Sequence, residues 1–155
     1  MFDDLLMFHI VSTSIMVGVI WVIQLVHYPS FKYVKESDYI IFQKYHMSNI
    51  SYIVFPIMFT ELITALLIFF SGEKSFFFML SLICLFLIWV ITGVLFTKFH
   101  SILQKGKDLK MIEKMIKANW IRTLLWTLRI IMILFVEEKM SSKHKLNFLE
   151  KQEKL

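Results

Sequence analysis

The sequence predicts an all-α fold: an integral membrane bundle of four transmembrane helices. Three observations predict it. Nearly unbroken apolar runs fall at about 5–27, 50–70, 76–97 and 120–136, each close to the ~20 residues that cross a bilayer's hydrocarbon core. Hydrophobic residues make up 57% of the 155, and mean hydropathy is +0.66, values that soluble domains of this size rarely reach. Polar residues inside the runs recur at steps of three and four, the spacing of one helix face. The expected organisation is one membrane domain over 1–136 and a charged tail over 137–155, with no room for a second soluble domain.

The first run follows Met-Phe-Asp-Asp. It is acidic where a secretory signal is basic, and longer than a signal's apolar core, so it is expected to remain as a span. His9, Thr13, Met16, Ile20, Gln24 and His27 share one face of it. Before the second run, Ser37 reads as an N-cap. The helix it starts is expected to pass through His46 toward the run that carries Glu61. In the third run, Cys84 is the only cysteine, so no disulfide forms within the chain, and it reads as packing. Trp89, Gly93, Phe96 and His100 share a face, where Gly93 predicts a close helix approach. Ahead of the fourth run, Asp108 precedes Leu109, Ile112 and Ile116 with lysines between them, which reads as a short interfacial helix. Within the run, Asn119, Arg122, Trp126 and Arg129 share a face.

Connections 28–49 and 98–119 lie on one side of the membrane and collect Lys32, Lys35, Lys44, Lys98, Lys105, Lys107, Lys110, Lys114 and Lys117. The positive-inside rule puts both in the cytoplasm and both termini outside. This basic charge is membrane-topological, and no nucleic-acid partner is expected. The partners expected are the lipid bilayer and either further copies of the chain or a larger membrane complex.

Ionisable groups in hydrocarbon cost several kcal/mol unless partnered. Glu61 and Arg129 stand at matching depth and are expected to form a buried ion pair. Gln24 and Asn119 extend a polar stripe. His27, His46 and His100 end three segments on one membrane side, which makes them candidate ligands for Fe, Cu or Zn. Singly, such histidines are more often hydrogen-bonded structural residues. His9 lies about 27 Å along the helix from His27 and stands apart as a separate candidate. Imidazole is a good axial ligand for haem iron, and Arg122 and Arg129 suit haem propionates or another carboxylate.

The stretch of His9, Gly18, Trp21, Gln24 and the exit Val26-His27-Tyr28, with Tyr45 through Pro56-Ile57-Met58, resembles HemJ-type and CopD-like four-helix membrane proteins. It is most similar to a bacterial branch marked by a Trp-x-x-Gln-x-x-His-Tyr-Pro signature, here Trp21 to Pro29. As architecture the resemblance covers about 5–136. It implies a bacterial inner-membrane oxidoreductase that binds haem and uses His9 as the iron ligand. Glu61 and the stretch from Asn119 to Arg129 lie outside it. Three functions therefore compete: a haem- or metal-binding redox protein, a proton or small-solute transporter working as an oligomer, and an accessory subunit.

Overall fold

In the computed structural model, which describes residues 2–153, the apolar runs fold as four long helices. These are α1 (Phe2–Tyr33), α2 (Glu36–Phe70), α3 (Phe76–Leu103) and α4 (Leu109–Glu153). All four are long and apolar enough to cross a membrane. They outrun the apolar runs because nothing in the flanking sequence stops the backbone ladder.

On the histidine side the helix expected to pass through His46 does run on into the second span, whereas the short helix expected ahead of the fourth run is not separate from it. Residues 36–49 are the opening turns of α2, and residues 109–119 those of α4. No Gly or Pro interrupts either stretch. Asp108 does start α4, accepting the Met111 N–H at 3.0 Å. Ser37 does not cap α2. Lys35 occupies that position in extended backbone, and the Ser37 hydroxyl donates to Asp38 at 3.0 Å instead. The tight turn between α2 and α3 uses Gly72 at φ 101°, a conformation that suits glycine.

Contacts between α1 and α2, α1 and α4, and α3 and α4 are extensive, whereas α2 and α3 meet sparsely. The seam between α2 and α3 is therefore the loosest in the bundle. Met16, Ile20, Met58, Ile88 and Trp126 form the main core. Leu6, Ile68, Phe78, Ile133 and Val136 form a second core near the turn between α2 and α3.

The molecule is apolar outside and polar within. Phe8, Val22, Phe70, Phe86 and Val94 are exposed, while His9, Gln24, Glu61, Asn119, Arg122 and Arg129 are buried. Water as solvent would select the reverse. Hydrocarbon selects this arrangement, because an unpartnered polar group facing it is expensive. This is a membrane protein.

Two helices depart from α geometry. Ile23–His27 in α1 and Thr92–Phe96 in α3 are π-helical turns. Gly93 lies in the second. It is exposed, and a Cβ there would meet nothing within 4 Å, so the close approach expected at Gly93 is not made.

Candidate functional site

Two buried polar clusters occupy the bundle. The first centres on Arg129. Its Nη1 donates to Glu61 Oε1 in an ion pair with no exposed side-chain surface. Its Nη2 lies 3.0 Å from His9 Nε2. A guanidinium only donates, so His9 Nε2 accepts and the ring carries its proton on Nδ1. That proton is donated to Thr64 Oγ1 at 2.7 Å, and Thr64 donates in turn to the Thr60 carbonyl at 2.7 Å. Trp126 Nε1 donates to the second Glu61 oxygen at 3.1 Å. One network thus ties α1, α2 and α4 together in the membrane's interior.

His9 therefore does not stand alone, as the sequence led one to expect. Both its ring nitrogens are engaged and it has no exposed surface. In this arrangement it offers no lone pair to haem iron. Arg129 is likewise committed to Glu61 and His9, and so is not free for a propionate.

The second cluster lies at the end of the bundle where α1 passes to α2 and α3 to α4. The π turn at Ile23–His27 ends on His27, whose Nε2 lies 2.7 Å from His46 Nδ1, with ring centroids 4.5 Å apart. The His100 ring is 5.5 Å from that of His46. Gln43 Nε2 donates to His100 Nδ1 at 2.9 Å, which directs the His100 Nε2–H toward the Tyr28 hydroxyl at 3.4 Å. Phe31 and Phe42 wall the group, their rings 5.0 and 6.5 Å from His46. The three histidines thus come together, while Arg122 sits beside Tyr28 with its guanidinium 4.1 Å from the Phe96 ring centroid.

Two imidazole nitrogens sharing one tetrahedral metal ion stand about 3.3 Å apart at ordinary ligand distances of ~2.0–2.1 Å. His27 Nε2 and His46 Nδ1 already converge and need to part by only about half an ångström. His46 Nε2 is buried without a hydrogen-bond partner, so no second hydrogen bond fixes that ring. His100 differs, because both its nitrogens are occupied. Among the described residues no three His, Cys, Asp or Glu side chains are already arranged around one point as metal ligands. The donor set as it stands is a histidine pair with a third imidazole alongside.

The Gln24–Asn119 stripe joins α1 to α4. Asn119 Nδ2 donates to Gln24 Oε1 at 2.9 Å, and Gln24 Nε2 donates to the Ile116 carbonyl at 3.3 Å. Sequence reasoning missed Gln43, Thr64 and the hydrogen-bonding part of Tyr28. The signal existed for the first two. Gln43 is three residues before His46 and Thr64 three after Glu61, one helical step on the same face.

Comparison with known proteins returns no match to a family model, a curated protein or a solved structure.

Proposed function

We propose that this chain is a bacterial inner-membrane protein that binds a transition-metal ion through His27 and His46, with His100 as a third ligand after a turn of its ring. The cluster would face the cytoplasm, in keeping with the lysines that flank it. The observation that carries the reading is the convergence of His27 Nε2 and His46 Nδ1 at 2.7 Å inside an aromatic box. A bound ion replaces the shared proton of such a pair, and neutral imidazole suits Zn, Cu or Fe. The chain's own part is to hold the rings in place. The π turn aims His27, Phe31 and Phe42 wall His46, and His100 would give up its hydrogen bond to Gln43 to join them. An iron or copper ion would add one-electron chemistry, and zinc would not.

A proton-relay reading fares worse. Arg129 stands between His9 and Glu61, and a guanidinium does not release its proton at physiological pH. The chain of groups from Thr64 to Trp126 is better read as a lock between helices.

Elemental analysis and an ultraviolet–visible spectrum of purified protein test the metal reading. About one ion per chain is expected, falling to background in His46→Ala. A metal-free protein that also fails to take up added Zn²⁺, Cu²⁺ or Fe²⁺ in a titration overturns it. A Soret band that survives His46→Ala would point instead to haem held elsewhere.

A further inference from the structure

The loose seam between α2 and α3 holds a cavity of about 90 Å³ whose floor includes Arg122, Tyr28 and His100. Ile50, Val54 and Phe55 of α2 wall one side. Phe55 is 47% exposed, so the cavity has its mouth on the apolar, lipid-facing surface. Both π turns border it, through Ile23 on one side and Thr92 and Phe96 on the other. Single π turns are frequent at functional sites.

Arg122 is only 4% exposed, and among the described residues no acidic side chain pairs with it. Its Nε has no hydrogen-bond partner. The faces of the guanidinium lie against Phe96 at 4.1 Å and Trp126 at 5.3 Å; one edge hydrogen-bonds the Tyr28 hydroxyl, which is neutral, and the Nε side is left open. The two helices of the seam cannot supply the missing anion. Helix α3 contains no Asp or Glu, and α2 has none between Asp38 and Glu61. Glu61 itself is committed to Arg129 and Trp126. A buried cation without a counter-charge is costly. A second polar atom in the cavity wall, Thr92 Oγ1, is also buried without a partner.

We propose that Arg122 binds the carboxylate head of a long-chain amphiphile that enters from the lipid phase, its hydrocarbon tail leaving through the seam. A guanidinium edge matches a carboxylate in two parallel hydrogen bonds, and Thr92 supplies a further donor. The volume favours a small head group. At about 90 Å³ the cavity suits a compact carboxylate better than a bulkier glycerophosphate. The proposal does not rest on metal binding, since neither Arg122 nor Thr92 is a ligand in that reading.

Equilibrium binding of radiolabelled palmitate to the purified full-length protein in nanodiscs tests it. Palmitate is expected to saturate at one per chain, and hexadecanol, with the same tail and no charge, to bind at least tenfold more weakly. Arg122→Gln should weaken palmitate binding at least tenfold and Arg122→Lys by less. Thr92→Phe, which fills the cavity while keeping the cation, should block it, and this variant decides the matter if Arg122→Gln does not fold. Equal binding of palmitate and hexadecanol overturns the proposal, as does palmitate binding untouched by Thr92→Phe. Displacement of palmitate by acetate or inorganic phosphate at similar concentration shows a small-anion site and also overturns it. So does an Arg122-dependent preference for lysophosphatidic acid, which would make the head group a phosphate.

Discussion

Arg129 meets two partners because its side chain is a fork, with Glu61 on one prong and His9 on the other. Half of this was legible in the sequence. A carboxylate and a guanidinium at matching depth must find each other, whereas the second prong has no such rule. His9 is 120 residues away, and reasoning by pairs treats Arg129 as satisfied once Glu61 is assigned. The energetic weight of the network follows from its burial. Glu61→Ala leaves the guanidinium charged and unpaired in the interior and is expected to destabilise by ~3–5 kcal/mol, read as a lowered midpoint in denaturant unfolding of the detergent-solubilised protein. Glu61→Ala combined with Arg129→Met, which removes both charges, should recover a large part of that loss. At the surface the sign and size differ. Lys32 and Glu113 pair at 3.2 Å with side chains 36% and 56% exposed, and Glu113→Ala should move the same midpoint by no more than ~1 kcal/mol.

Helix existence was legible at the level of elements, because apolar runs of this length have one solution in lipid. Helix ends were less so. The sequence placed a short interfacial helix ahead of the fourth span, but an uninterrupted backbone ladder has no reason to stop where hydropathy falls. The π turns were not legible at all. Ile-Gln-Leu-Val-His and Thr-Gly-Val-Leu-Phe carry no propensity for an extra residue per turn, and tertiary packing decides where one is inserted. The end of α1 shows how an element can depend on a distant one. Lys107 Nζ donates to the Lys32 carbonyl at 2.9 Å and also to the Val34 carbonyl. These carbonyls lie where the helix leaves its acceptors open. Lys107→Met should fray this end, seen as faster amide hydrogen exchange at residues 31–38. Exchange at residues 10–20 should not change. Between α1 and α4, a double-mutant cycle of Gln24→Leu and Asn119→Leu should give a coupling of about 0.5–1.7 kcal/mol, the range found for hydrogen bonds between helices in membranes.

The inverted surface of the whole molecule fixes its solvent but not which way round it sits. Lysine placement argues for the histidine cluster on the cytoplasmic side. With Cys84→Ser as background, a cysteine introduced at Glu73 should react with a membrane-impermeant maleimide in intact cells, and one at Lys105 only after permeabilisation. The opposite labelling pattern would turn the protein over. The Arg129 network also sets an order of assembly. The partners of its guanidinium arrive early in synthesis, on α1 and α2, while Arg129 comes on the last helix. Until then Glu61 has no cation, and an isolated carboxylate in the bilayer is opposed by ~2.5–3.5 kcal/mol on insertion scales. A chain halted after Leu103 would have to keep Glu61 near water or bury it protonated, with its hydrogen-bond partners on α4 missing. The first three spans are therefore expected to linger beside the insertion machinery until α4 enters, which makes completion of the last helix the point at which the membrane accepts the protein.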